Sequence, residues 1–368
     1  MIMDEYPIEF RKDVLKRFFD YVKMGVSFYV IGAPSVGKTR LMDFLMGDDP
    51  DVLCITQGED RDRVKKHYLV EAELASQTWL ARVDMNRMRR ENDWGFLFFE
   101  LLLHTVLLAC NRCKPTEQIK AEQIKEIKEE LAGLDSQVIE SKDALKAHRF
   151  FEMAVNMLCQ SYGIKLCILF DEFDETYQKM PREVFAQLRA IRDANKQRMS
   201  YALFLRNLPE KLRDPLENES FYELISHNMI GLGPYSREDS LRVIRQFEQR
   251  RQYPLSDETR EWLYNYSGGH PGLIQALLDL LKEHPRAAAQ MSNPEWYANQ
   301  EKVREEFRKI WAGLLEEEQD GLLEFARGRQ TSMPPSTGKL LVAKGLLKPV
   351  DNRMNFFSPL MGDWLSKQ

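Results

Sequence analysis

A parallel α/β sheet of five strands, covered by helices on both faces and followed by two smaller units, is the fold class this sequence predicts. Three observations predict it. Five short apolar runs, at residues 26–31, 78–84, 165–170, 200–205 and 228–232, alternate with helical patterns. A glycine-containing turn, Gly32-Ala33-Pro34-Ser35-Val36-Gly37-Lys38-Thr39, joins the first run to a helix. The third run, Leu166-Cys167-Ile168-Leu169-Phe170, exits into Asp171-Glu172.

The elements follow in order. Between residues 6 and 23, Phe10, Val14, Leu15, Phe18, Phe19 and Val22 recur at helical spacing, and Gly25 ends the pattern. The first strand then runs into the turn, and residues 39–46 resume as a helix. After the second strand, residues 94–109 form a long apolar helix. Residues 116–147 turn polar, with Lys and Glu three or four apart, and read as a solvated helix or helical hairpin inserted into the sheet domain. From Ser236 onward no further strand of this kind occurs for about eighty residues. Segments 236–249, 256–266, 272–283 and 295–315 are helical in pattern. The final stretch reads as a helix at 318–327, a helix near 336–344, and two β-like runs, 346–350 and 354–357, joined by Asp351-Asn352. Helix, helix, hairpin is the pattern of a winged helix. The expected domains are therefore 1–235 with an insertion at about 115–149, a helical lid at 236–315, and a winged helix at 316–368.

Composition sets bounds on function. The 368 residues are 43% hydrophobic and 30% charged, enough apolar material for real cores. A net charge of -5 argues against a protein held to nucleic acid by bulk charge. Residues 316–368 hold seven Lys/Arg and seven Asp/Glu, so the C-terminal unit is locally neutral. Its second helix offers only Lys339 and Lys344 to a phosphate backbone. The cysteines, Cys54, Cys110, Cys113, Cys159 and Cys167, are scattered. Cys110 and Cys113 form a lone CxxC with no second pair, which reads as two reduced thiols rather than a zinc site. A reducing, cytoplasmic setting is the simplest expectation. No signal peptide is expected, and the apolar stretch 96–109 is shorter than a membrane span.

The chemistry-bearing residues are consistent with one another. A GxxxxGK[ST] turn between strand and helix lets successive backbone N–H groups wrap phosphates. Lys38 adds positive charge, Thr39 offers a hydroxyl to Mg²⁺, and Gly32, Pro34, Ser35, Val36, Gly37 and Arg40 complete the loop. Asp171 is placed to take up Mg²⁺ through water, and Glu172 to polarise an attacking water. The strand ending Phe204-Leu205-Arg206-Asn207 offers Asn207, with Arg206 second, to the γ-phosphate or the water. Guanine recognition would need an Asn-Lys-x-Asp run. Asn195-Lys196-Gln197-Arg198 ends in a donor-only arginine, so ATP is expected rather than GTP. Tyr266-Ser267-Gly268-Gly269-His270-Pro271-Gly272 is a tight turn opening a helix, with Pro271 pre-set for the first helical turn.

The order of these motifs, with Ile230-Gly231-Leu232-Gly233-Pro234-Tyr235-Ser236 between Asn207 and Gly269-His270-Pro271, resembles the STAND class of signalling ATPases in the AAA+/ASCE P-loop division. Archaeal-type ATPases and their bacterial relatives are the part of that class it is most similar to. The resemblance implies an ATP- and Mg²⁺-dependent switch or assembly ATPase, with Gly269, His270 and Pro271 reaching back to the nucleotide. It also implies a protein partner or self-oligomer, and no membrane. Phe356-Phe357-Ser358-Pro359-Leu360 resembles the end of the winged helix in that class. Archaeal replication initiators share this plan but carry an arginine in the helix after the turn, where this chain has Gly272-Leu273-Ile274-Gln275. A DNA-loading or DNA-remodelling ATPase is the competing expectation, and a nucleotide-binding module with little turnover is a third. Arg189, Arg192 and Arg213 are open candidates for an arginine completing a neighbour's site. Arg87, Arg89 and Arg90, and Arg237, Arg242, Arg245, Arg250 and Arg251, read as solvated helix faces because acidic residues are interleaved with them.

Overall fold

The computed structural model describes residues 9–46, 63–70, 72–88, 94–116, 119–284, 293–329, 333–350 and 353–367. Cys54, Arg89, Arg90, the turn Asp351-Asn352 and the first residues of the expected N-terminal helix lie outside them. Five strands form one parallel sheet: β1 (Phe28–Ile31), β2 (Thr78–Asp84), β3 (Lys165–Asp171), β4 (Met199–Leu205) and β5 (Met229–Gly231), in the order β2-β3-β4-β1-β5. The α/β class and the five-stranded parallel sheet are as expected, with helical structure following it.

The period of two along the strands divides their side chains between two cores. Phe28, Val30, Cys167, Leu169, Ala202 and Phe204 join the first. Tyr29, Ile31, Leu166, Ile168, Phe170, Tyr201, Leu203 and Leu205 join the second. Both faces of β1 and β4 are buried, as parallel strands under helices require. Register then aligns the strand ends: Ile31 pairs with Leu205 and Asp84 with Asp171. Whatever follows β1, β3 and β4 therefore emerges along one edge.

The N-terminal helix Lys12–Met24 buries Leu15, Phe18, Phe19 and Val22 in the first core and stops at Gly25, whose amide caps the helix. The helix Trp94–Arg112 has 19 residues and is long and apolar enough to cross a membrane by length and composition, more than the stretch 96–109 suggests. Its Phe98, Phe99, Leu102, Leu103 and Val106 are fully buried in the second core. The inserted segment is a helical hairpin, Ala121–Ser141 and Ala144–Asn156. It is less solvated than its charge suggests: Ile127, Leu131, Leu134 and Val138, spaced four, three and four apart, pack into the second core.

After β5 the chain is helical: Arg237–Arg251, Asp257–Ser267, Pro271–Glu283, Pro294–Ala298 and Glu301–Ala312. The single helix expected over 295–315 is broken, because Gln300 takes an extended backbone at the start of the second piece. The break lets the short Pro294–Ala298 lie against the last helix of the chain. The C-terminal part contains helices Glu316–Ala326 and Pro335–Ala343, an antiparallel pair β6 (Leu347–Val350) and β7 (Arg353–Phe356), and helix Pro359–Leu365. That last helix has no counterpart in the sequence reading. Its Leu360, Met361, Trp364 and Leu365 belong to the same first core as Leu273, Phe307 and Phe28. One core thus runs from a face of the sheet through the helical region to the C-terminus.

Candidate nucleotide site

The loop after β1 occupies the aligned edge. Ser35 (φ 55°) and Gly37 (φ 92°) both adopt left-handed backbone, and the helix Lys38–Met46 begins directly after them. Alternation of this kind turns neighbouring N–H groups into a concavity for an anion. Gly37 has room for no side chain without strain: a Cβ there would also meet the Tyr235 hydroxyl at 3.2 Å. The Lys38 Nζ donates to Gly32 O at 2.6 Å and Ala33 O at 3.1 Å, folding the ammonium back on its own loop. Burial lowers its pKa to about 8, opposed by the charge of Asp174. A half-buried ammonium with no carboxylate among the described residues in an ion pair with it fits an incoming phosphate.

Above the loop opens a cleft of about 1200 Å³. Pro34, Ser35, Val36, Gly37, Lys38, Thr39 and Arg40 line it, together with Glu172, Arg206 and Pro271. Residues for which the sequence reading had no site role line it too: Asp43, Tyr235, Lys309 and Gly313. Arg250, read from sequence as part of a solvated helix face, also lines the cleft. The cationic lining side chains are Lys38, Arg40, Arg206, Arg250 and Lys309, against the carboxylates Asp43 and Glu172. In a chain of net charge -5 this is a local reversal of sign, and it suits a polyanion.

Glu172 has φ 49°, left-handed backbone for a residue with a Cβ, directly after β3. Its Oε1 lies 3.5 Å from Arg206 Nη2, and its Oε2 accepts from Asn86 Nδ2 at 3.4 Å. The carboxylate is exposed at the cleft, with these two donors beside it. Asp171 is 5% exposed. Its Oδ2 accepts from Arg82 Nη2 at 2.7 Å, and Arg82 also pairs with Asp43 on the loop's helix. Burial raises the Asp171 pKa, and the Arg82 bond pulls against that rise. Thr39 is exposed and lines the cleft, whereas Asp171 is not among its lining residues; a hydroxyl and a carboxylate are both hard oxygen donors of the kind Mg²⁺ takes beside phosphates. Among the described residues no three of His, Cys, Asp and Glu converge on a separate metal site.

Asp174, read from sequence as part of an acidic turn, ties down the end of β4. Its Oδ1 accepts from the backbone N–H of Arg206 at 2.9 Å and of Asn207 at 3.1 Å. The Asn207 side chain is not among the cleft-lining groups; its Oδ1 accepts from Lys344 Nζ at 3.3 Å. Lys344 itself is 1% exposed, which removes it from the surface that a DNA-reading helix would present.

The turn after helix Asp257–Ser267 docks beneath the loop. His270 is 1% exposed, and its Nε2 lies 3.1 Å from Pro34 O. Burial lowers its pKa to about 3, so the ring is neutral and the bond to a carbonyl puts the proton on Nε2. Gly269 O accepts from Tyr235 N at 2.9 Å. Of the three turn residues only Pro271 lines the cleft; His270 and Gly269 hold the loop and Tyr235 from behind.

Arg11 is a further residue that no sequence signal marked. Buried at 7% exposure, it donates to Gly233 O at 2.8 Å and Val36 O at 2.5 Å, and its guanidinium lies 4.5 Å from the Tyr235 ring centroid. It clamps the N-terminal segment, the loop and the start of the helical region together. The three arginines considered for a neighbour's site are all engaged on their own chain. Arg189 pairs with Asp193, Arg192 with Asp193 and Gly25 O, and Arg213 with Glu217 and backbone carbonyls over Phe185. Cys110 is buried, and burial pushes its thiol up to about 11.

No family model matches the chain, and no curated protein matches it by sequence. Among solved structures it is similar to a Walker-type ATPase of Pyrococcus abyssi, at 13% identity and TM-score 0.49, covering 100% of both chains. It is also similar to the ORC2 protein of Aeropyrum pernix in its ADP form, at 13% identity and TM-score 0.47, covering 100% of this chain and 94% of that one. The ORC1 protein of Aeropyrum pernix, solved in complex with DNA, is similar at 11% identity and TM-score 0.41 over 97% of this chain and 92% of that one. Identities and scores of this size assign no activity to this chain.

Proposed function

We propose that this protein is an ATP-binding P-loop ATPase of the AAA+/ASCE kind, working as a STAND-type switch or assembly ATPase. The observation that carries the reading is the convergence on one cleft of the Lys38 loop, the Glu172 carboxylate and five cationic side chains. Phosphates would lie along the loop, with Lys38 turning from the carbonyls of Gly32 and Ala33 to the phosphate oxygens. Mg²⁺, held by Thr39 and through water by Asp171, would neutralise charge between the outer phosphates. Glu172 takes the proton of an attacking water, and Arg206 beside it takes up charge on the transferred group. Pro271, Lys309 and Gly313 come from the helical region and line the cleft, with Gly313 packed against Pro34 of the loop. Closure of that region on the nucleotide therefore links occupancy to domain arrangement and to partner binding. In this reading residues 236–315 are a lid and 316–368 a winged helix.

Purified protein is expected to hydrolyse ATP slowly, with turnover abolished in Lys38→Ala and Glu172→Gln. Lys38→Ala should weaken nucleotide binding by at least about tenfold, the loss of a charge-assisted contact, while Glu172→Gln keeps binding. Turnover should be indifferent to duplex DNA, since Lys344 is buried and paired. Strong stimulation by DNA, falling steeply with salt, would replace this reading by a DNA-remodelling ATPase.

A further inference from the structure

Lys344 sits at the end of helix Pro335–Ala343 with no exposed side-chain surface, and neither has its partner Glu318. Its Nζ is 2.6 Å from Glu318 Oε1 and 2.8 Å from Oε2, and it donates to Asn207 Oδ1 at 3.3 Å. The ammonium thus donates to Glu318 Oε2 and to Asn207 Oδ1, with Glu318 Oε1 close by as part of the ion pair. Glu318 is anchored in turn, its Oε2 accepting from Leu315 N at 2.9 Å. Asn207 belongs to the other side of this contact: it follows β4, its N–H is bound by Asp174, and Arg206 before it lines the cleft. A second contact brings the same two parts together, since a Cβ on Gly231 of β5 would come within 2.5 Å of Ala343 O. The charge of Lys344 is also felt in the loop, where it helps to lower the pKa of Lys38.

An asparagine amide can turn either its oxygen or its nitrogen towards a neighbour. Lys344 accepts nothing, so the oxygen must face it, and the amide is left with its donating end for any other partner. A phosphate oxygen needs that donating end. We propose that Lys344 is a positioning residue that fixes the Asn207 amide for the terminal phosphate of ATP, and that through it the C-terminal part of the chain distinguishes ATP from ADP. This deepens the proposed function and rests on it. The buried pair with Glu318 holds the ammonium in place, and the Lys344–Asn207 bond is the link from nucleotide site to C-terminal helices.

The test measures affinity for ADP and for a non-hydrolysable ATP analogue by competition with a fluorescent nucleotide. Four proteins are compared: the full chain, Asn207→Ala, the double variant Lys344→Met/Glu318→Leu, and the three substitutions together. Replacing both members of the buried pair with apolar residues avoids stranding a charge. The double variant is expected to bind the ATP analogue about tenfold more weakly and ADP within about twofold of the wild type. Adding Asn207→Ala should cost nothing further, because both changes remove the same contact. Unchanged ATP-analogue affinity in the double variant, or full additivity with Asn207→Ala, overturns the proposal while the ATPase reading stands. A wild-type chain that binds neither nucleotide removes both. Should the double variant not fold, hydrogen exchange on the wild-type chain decides. Amides of Pro335–Ala343 should be more protected with the ATP analogue than with ADP, and equal protection overturns the link.

Discussion

Half-buried Lys38 and buried His270 answer to pH in opposite parts of the range. Lys38 has its pKa lowered to about 8 by burial, so the empty loop loses its charge above that pH. A bound phosphate restores the proton, which makes binding proton-linked. Nucleotide affinity should be flat from pH 6.5 to about 7, be down about twofold at pH 8 and fall by up to about tenfold per unit above, with proton uptake on binding at pH 9. Calorimetry in buffers of different ionisation enthalpy measures this, and binding without proton uptake at pH 9 would refute it. His270 is neutral in the fold, with its pKa lowered to about 3 from the usual 6.5. The unfolded chain therefore binds the extra proton between those values, and the stability this gives is complete above about pH 6.5 and lost as pH falls. Going from pH 7 to 5 should cost about 2 kcal/mol through His270 alone. His270→Gln, which keeps a donor for Pro34 O, should flatten that part of the denaturation profile. An equally steep profile in the variant would place the pH dependence elsewhere.

At the scale of elements, the inserted hairpin shows how charge can hide a core face. Its Lys and Glu residues point outward, while Leu131, fully buried, packs with Ile127, Leu134 and Val138 beneath the helix Trp94–Arg112. Leu131→Ala should destabilise the protein by about 2–5 kcal/mol, whereas an exposed neighbour such as Glu129→Ala should change it by under about 0.5 kcal/mol. Chemical denaturation separates the two, and equal small effects would mean that the hairpin is not part of the cooperative core. The strands were more legible than the helices. Their short apolar runs lie between glycine, proline and polar punctuation, and parallel burial leaves little ambiguity. The break at Asn299-Gln300 was not legible, because nothing in those residue types forbids a helix; packing of Pro294–Ala298 on the last helix selects the broken form.

Across the whole molecule, the first core joins the sheet to the C-terminal helix without interruption. The helices and strands after residue 315 are therefore structural cover for that core. A fragment ending at residue 315 would uncover Phe307 and Trp311, whose rings lie against Trp364, and lose the Lys344–Asn207 bond. It should be insoluble or markedly less stable than the full chain. A soluble fragment that binds nucleotide normally would show that the two parts are energetically separate. Saturating nucleotide should protect the full chain: at about a hundredfold excess over Kd the stabilisation is about 2.7 kcal/mol, read as a rise in Tm.

The glycine loop, the apolar strand ending in Asp171-Glu172 and the five strands could be read from residue order alone. Each is a local pattern in which the residues that carry the signal are neighbours in the chain. Arg206 was marked by its place after β4 but not as a partner of Glu172, and Asn86 at Glu172, Arg82 at Asp171, Arg11 under the loop and Lys344 behind Asn207 could not be read this way. Each is an ordinary polar residue in its own segment. Its role comes from a partner 34 to 137 positions away, or 25 in the case of Arg11 and Val36. Parallel strand register and helix packing bring those partners together, and a buried donor then takes whichever acceptor the fold places beside it.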